Sequence, residues 1–307
     1  MGRLIEGRWS TDDARHVDAA GRFLRSTTTF RRELGSAQFP FVPGRYRLYV
    51  SLACPWAHRT LIARKLKRLD DAIDVVTVDP LLGQDGWTLT APDENGFTKL
   101  RELYVAADPS CTSRVSVPVL WDRVGKTIVN NESAEILRQF DRLGRGPNLY
   151  PETLRIEIDA LNQAIYDAVN NGVYRAGFAA SQAAYEEAIG ALYACLDLLE
   201  ARLTDRRYLF GAAIVESDIR LYTTLVRFDP VYAIHFKCAR KRIADYPALS
   251  GYLRDLFQTP GFGDTTDIAQ IKRHYYASHR HLNPGGLIPL GPDQDLSAPH
   301  GRGSLGG

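Results

Sequence analysis

The chain has 307 residues, 45% hydrophobic and 24% charged, and its 38 basic and 36 acidic side chains leave a formal net charge of +2. That length accommodates two domains with separate cores, and the balanced charge argues against nucleic acid or any other polyanion as a partner. There is no N-terminal apolar segment and no apolar run approaching about 18 residues, which argues against a cleaved signal and a membrane span and makes the cytoplasm the expected location. The four cysteines, Cys54, Cys111, Cys195 and Cys238, are too scattered for a zinc site and too sparse for a disulfide framework, so a reducing compartment fits and no metal is expected.

Residues 1–44 are interrupted by Gly2, Gly7, Gly21, Gly35, Pro40, Pro43 and Gly44, a spacing that predicts an extended arm. Ile5-Glu6-Gly7-Arg8 matches an engineered protease site, yet nothing around it resembles a tag. Arg22, Arg25, Arg31 and Arg32 interleave with Phe23, Phe30 and Phe39. Such a mix either lines an anionic pocket or packs its rings while the arginines face solvent.

The stretch from Tyr46 to Leu69 reads as strand, turn, thiol and helix. Arg45 to Val50 alternates as a strand does, and Pro55 suits a first helical position, followed by Trp56, Leu61, Ile62, Leu66 and Leu69 at helical spacing. Cys54 is thereby placed at the helix mouth, where backbone N–H groups and the helix dipole can lower a thiol pKa from about 8.5 to roughly 3.5–7.5. A lone cysteine can equally be a small buried hydrophobe. In Cys54-Pro55-Trp56-Ala57 the resolving thiol of a C-x-x-C motif is missing, so a mixed disulfide at Cys54 needs a second thiol from solution to release it.

Ile73 to Val78 is a β-branched run that completes a strand–helix–strand unit with parallel strands and places the thiol at the carboxyl end of the first. Asp79 to Ser113 reads as one long irregular loop, in which Trp87 is either a loop anchor or a wall of a binding site. Val115 to Asp122 is strand-like but contains Pro118; we expect a cis bond there, with the Val117 backbone left to pair with an extended ligand. Thr127 to Val129 is the next strand, and a helix opens at Asn131-Glu132-Ser133-Ala134-Glu135 with Ile136, Leu137 and Phe140 as its apolar face. Glu132 and Ser133 either cap that helix or hold the zwitterionic end of a peptide, its carboxylate on the N–H groups and its ammonium on Glu132.

Gly144-Arg145-Gly146-Pro147 reads as a linker. The expected domains are an arm over 1–44, an α/β domain over 45–144, an all-helical domain over 145–283 and a Gly/Pro-rich tail over 284–307 that is extended or frayed. Within the helical part, Ile158, Leu161, Ile165 and Val169 form one stripe, and Ile189, Leu192, Leu196, Leu199 and Leu203 a longer one with Cys195 packed among them. Ser217 or Asp218 is the expected cap of a helix over Ile219 to Val226, and Pro247 to Phe257 is a further helix.

The motifs ACPWAHR, DGW, RVSVPVLWD, NNES, VYRAGFA, ESDIRLY and IKRHYY resemble, in that order, those of the glutathionyl-hydroquinone reductases, also called Xi-class glutathione transferases. The resemblance implies a thioredoxin-like α/β N-terminal domain followed by an all-α C-terminal domain, the glutathione transferase fold. It implies Cys54 as catalytic cysteine, Trp87, Val117, Glu132 and Ser133 as glutathione contacts, and Tyr174 and Tyr275 facing the quinol from the helical side, with Tyr276 able to exchange roles with Tyr275. Arg114 is added as a partner for a glutathione carboxylate. The activity implied is reduction of glutathionyl-hydroquinones with glutathione as co-substrate, in a homodimer. Two rivals are a broader thiol transferase or dehydroascorbate reductase using the same Cys54, and a non-catalytic binding scaffold, for which a reactive thiol has no use.

Overall fold

The computed structural model describes residues 2–11 and 17–305, which form two compact units. The first takes the N-terminal residues, Ser26–Gly146 and Ala269–Arg280; the second takes the stretch ending at Arg25, Pro147–Ile268 and the chain from His281 onward.

The first unit begins with a hairpin, where the spacing of glycines and prolines predicts only an extended arm. Strands β1 (Arg3–Ile5) and β2 (Arg8–Ser10) are antiparallel, joined through Glu6 and Gly7, whose φ angles of 48° and 74° are those of a two-residue hairpin turn. The stretch that mimics a protease site is this turn. A Cβ at Gly7 would lie 1.9 Å from the Pro109 carbonyl oxygen, so only glycine fits. Further along the arm, Phe30 and Phe39 are buried while Arg22, Arg31 and Arg32 are exposed, the packing alternative set out above, whereas Arg25 is half-buried with its guanidinium 5.5 Å over the Phe23 ring.

The central sheet has the order β4-β3-β6-β7. Strand β3 (Tyr46–Val50) runs parallel to β4 (Ile73–Thr77), across helix α1 (Pro55–Leu66), as the strand–helix–strand reading requires. Helix α2 (Leu100–Ala107) lies inside the stretch predicted to be irregular. It fits in the interval between Gly96 and Pro109, buries Leu100, Leu103 and Tyr104 at i, i+3, i+4 spacing, and starts where the Glu102 carboxylate accepts hydrogen bonds from the N–H groups of Thr98 and Lys99 at 2.7 and 2.8 Å. Of the predicted run from Val115 to Asp122 only the second half is a strand: β6 (Val119–Asp122) joins the central sheet beyond the cis Val117–Pro118 bond, while β5 (Ser113–Arg114), just before the run, pairs with β1 in a separate three-stranded sheet. β7 (Thr127–Asn130) and helix α3 (Ser133–Leu143) follow, with Ile136, Leu137 and Phe140 buried as expected.

The second unit holds α4 (Arg155–Ile165), α5 (Gly172–Gly177), α6 (Gln182–Arg202), α7 (Glu216–Arg227), the short α8 (Ala233–His235) and α9 (Pro247–Gln258). The mixed sheet with its helices, followed by a helical unit, is the predicted fold class. Neither Ser217 nor Asp218 is the cap residue of α7. That position is Val215, and Asp218 reaches back from the third helical position to accept from the Val215 N–H at 2.8 Å. The last helix, α10 (Ile268–Ser278), belongs to the first unit from Ala269 on.

Of the two alternatives for the tail, extended or frayed, it is extended and pinned. Arg302 is buried, with its guanidinium donating to the carbonyl oxygens of Leu203, Arg206, Arg207 and Ala248 just past the end of α6 and at the start of α9, and the Gln258 side chain donates to the Leu296 and Ala298 carbonyls. A cation at the C-terminal end of a helix also meets its dipole favourably. Among the described residues no helix is long and apolar enough to cross a membrane.

Candidate active site

Cys54 is the N-cap residue of α1, with extended backbone angles and Pro55 at the first helical position. Its N–H donates to the Ser51 carbonyl at 3.0 Å and its own carbonyl accepts from the His58 N–H at 3.0 Å, so its backbone is fixed by the turn while the side chain makes no capping bond. The thiol instead lies 3.7 Å from the Val117 carbonyl oxygen, and the residue is 8% exposed. The Pro118 step thus brings Val117 to the thiol, and Val117 lies between β5 and β6, outside the paired registers of either.

The other three thiols are poor candidates. Burial pushes the thiol of Cys111 up, that of Cys195 up to about 11, and that of the fully buried Cys238 higher still, so their thiolates are scarce at neutral pH. All four cysteines are free.

Glu132 is the N-cap residue of α3. One carboxylate oxygen accepts from the Ala134 N–H at 3.2 Å and the other from the Thr28 hydroxyl at 3.2 Å. The capping alternative is therefore realised in the structure. Ser133 is buried at the first helical position, 3.5 Å from an Arg59 guanidinium nitrogen. Arg59 lies outside the site residues to which the sequence points. It is buried on α1, with its guanidinium 4.5 Å over the Trp56 ring, and it links the helix that begins at Cys54 to the one that begins at Ser133. The available signal was an arginine one turn past Cys54 on a helix that buries Pro55, Ala57, His58 and Thr60 around it.

Trp87 is 6% exposed and its indole stacks on the imidazole of His274, with ring centroids 5.0 Å apart and planes inclined by 18°. Arg114 lies on β5, opposite Arg3 of β1. Tyr174 is on α5, among the rings of Phe178, Tyr232 and Phe236, with the Arg25 guanidinium 4.7 Å over its face. Tyr275 is on α10, edge-on to His274 and His279 at 5.1 and 5.5 Å. Tyr276 is buried as well, and desolvation raises its phenol well above the usual range. The structure thus brings Cys54 to Val117 and Glu132 to Ser133 directly; Tyr174 belongs to the second unit and Tyr275 to the first.

Both parts of the chain match glutathione transferase models: residues 53–143 match the glutathione S-transferase N-terminal domain, and residues 182–255 its C-terminal domain. Glutathionyl-hydroquinone reductase YqjG of Escherichia coli is 50% identical, over 98% of this chain and 98% of the relative, and glutathionyl-hydroquinone reductase PcpF of Sphingobium chlorophenolicum is 47% identical, over 96% and 98%. The glutathione-bound structure of YqjG superposes with a TM-score of 0.89 at 46% identity, over 97% of this chain and 98% of that one. An Xi-class glutathione transferase from Natrialba magadii superposes with a TM-score of 0.93 at 45% identity, over 100% of this chain and 98% of that one, and the chain belongs to the glutathionyl-hydroquinone reductases, the Xi class of glutathione transferases.

Proposed function

We propose that this chain removes the glutathionyl group from glutathionyl-hydroquinones, with Cys54 as nucleophile and glutathione as co-substrate. The observation that carries the reading is the position of the Cys54 thiol, at the N-cap of α1 yet not engaged in capping it. The relatives' names set the substrate class. The Cys54 thiolate attacks the sulfur of the conjugate, forming the Cys54–glutathione disulfide as the sulfur–aryl bond breaks. The electron pair of that bond stays on the aryl carbon, which takes a proton and leaves as hydroquinone. A second glutathione thiolate then attacks the mixed disulfide, releasing glutathione disulfide and restoring the Cys54 thiolate. Two glutathionyl groups leave as the disulfide and the aromatic ring gains the hydrogen.

In this reading the Val117 backbone pairs with the extended peptide, the α3 N-terminus with Glu132 and Ser133 receives its zwitterionic end, Trp87 covers it, and Arg114 meets a carboxylate. Tyr174 and Tyr275 donate hydrogen bonds to the aromatic product as it leaves. The homodimer rests on the family likeness, and the cytoplasmic location on four free, scattered cysteines.

The test compares kcat/KM for a glutathionyl-menadiol-type conjugate, dehydroascorbate and a small mixed glutathione disulfide. The conjugate is expected to be the best substrate, and Tyr174→Phe and Tyr275→Phe to slow its reduction by about 10²-fold, as for loss of a positioned acid, while hardly touching the small disulfide. Preference for dehydroascorbate would overturn the substrate class. Equal losses on conjugate and disulfide would make the tyrosines structural.

A further inference from the structure

Helix α10 holds the loop that carries Trp87 at three places. The His274 ring lies against the indole of Trp87, nearly parallel. The Nδ1 atom of the same ring is 2.8 Å from the Pro80 carbonyl oxygen. A carbonyl only accepts, so Nδ1 carries the hydrogen and the tautomer is set by this bond. One turn further along α10, the Ser278 hydroxyl oxygen accepts from the Leu82 N–H at 3.0 Å. Residues 274 and 278 are four apart and share a helix face, so one face of α10 meets Pro80, Leu82 and Trp87 together.

The loop's backbone is secured elsewhere. The Trp87 carbonyl accepts from the Leu100 N–H at 2.9 Å, and the Trp9 indole N–H, from the N-terminal hairpin, donates to the Gln84 carbonyl at 2.9 Å. Those bonds fix where the main chain runs, but a tryptophan retains two side-chain torsions, and a planar partner at stacking distance is what sets the plane of its ring. His274 is 7% exposed, and the hydrogen bond to Pro80 stops its own ring from turning. The other face of the cluster is Tyr275, which meets His274 edge-on.

We propose that His274 is a positioning residue for this site: it holds the Trp87 indole in the plane that glutathione binding uses and joins the glutathione side of the site to Tyr275. This deepens the function proposed above and rests on Trp87 being a glutathione contact. Loss of the imidazole leaves Trp87 in place but free to turn, and weakens glutathione binding about tenfold with a smaller change in kcat.

Calorimetric titration of glutathione into wild type, Trp87→Ala, His274→Ala and the double variant tests it, with near-ultraviolet circular dichroism reporting the order of the indole. His274→Phe keeps a ring without the Pro80 bond, and His274→Asn keeps a donor without the stacked imidazole. The expected result is about tenfold weaker binding in both single alanine variants, no further loss in the double variant, a reduced tryptophan dichroism band in His274→Ala, and recovery of most of the affinity in His274→Phe. Wild-type affinity in His274→Ala beside a weakened Trp87→Ala would overturn the proposal, as would losses that add in the double variant, because a merely structural residue acts independently of Trp87. Wild-type affinity in Trp87→Ala would remove the assignment of Trp87 itself, and the proposal with it.

Discussion

The N-termini of α1 and α7 use the same local chemistry for opposite ends. At α7 the Asp218 carboxylate is fully buried and accepts from the N–H groups of Val215 and Leu209, at 2.8 and 3.0 Å, and from the Tyr252 hydroxyl at 2.7 Å. These three bonds join α7 to α9 and to the turn at Leu209. At α1 the residue in the cap position is a thiol without a capping hydrogen bond, 3.7 Å from the Val117 carbonyl oxygen. A helix mouth favours an anion in either case; what the acidic side chain at the mouth does with its own bonding capacity decides whether the mouth serves stability or chemistry. The N-terminus of α3 stands between them, since Glu132 caps it and, in the function proposed above, also receives an ammonium group.

The sharpest way to break this comparison is Cys54→Ser, which we predict lowers reduction of a glutathionyl-hydroquinone by 10³-fold or more at unchanged stability, on the scale of losing a nucleophile. Cys111→Ser, Cys195→Ser and Cys238→Ser keep most of the activity per folded molecule. Steady-state rates beside urea unfolding check both halves, and an active Cys54→Ser would place the chemistry elsewhere.

At α7 the effect falls on the fold. Asp218→Ala removes three hydrogen bonds to a buried carboxylate and should cost about 3 kcal/mol or more in urea unfolding, with turnover per folded molecule retained. Burial raises the Asp218 carboxyl to about 6 against the opposing pull of the Val215 and Leu209 N–H groups and the Tyr252 hydroxyl. The unfolded value is about 3.9, so the folded chain holds the proton more tightly. This group's titration therefore contributes stability that is full below about pH 4 and is lost as the pH rises through about 6. The stability of wild type relative to Asp218→Asn should fall across that window, and a flat difference would mean that the carboxyl does not titrate there.

The smallest effect is expected at α3. Glu132→Ala should raise the glutathione KM about tenfold, the scale of one charge-assisted hydrogen bond, and lower stability by about 1 kcal/mol through loss of the cap. An unchanged KM beside the stability loss would leave Glu132 a purely structural role, as at Asp218.

The elements around Cys54 were legible because each has a local signal: alternation in β3, proline at the start of α1, a β-branched run in β4, and Pro118 inside a strand-like stretch. Helix α2 was hidden by the glycines and prolines on both sides of it, although Leu100, Leu103 and Tyr104 carry its period. The N-terminal hairpin was unreadable because three-residue strands are too short to show alternation. Arg302 docks the tail through bonds to main-chain carbonyls, which leave no trace in a hydropathy pattern. Within the site, the position of Cys54 follows from sequence, but the stacking of Trp87 on His274 joins residues 187 positions apart (274 − 87) and exists only in the folded chain.

The central claim, that the α1 mouth serves chemistry, is tested most directly by trapping its intermediate. The protein is mixed with one equivalent of a glutathionyl-hydroquinone in the absence of free glutathione, and intact mass and peptide mapping follow. One glutathionyl group is expected on Cys54, equal in amount to the hydroquinone released and removed when glutathione is added. Hydroquinone released with no adduct on Cys54, or with the adduct on Cys111, Cys195 or Cys238, would contradict it.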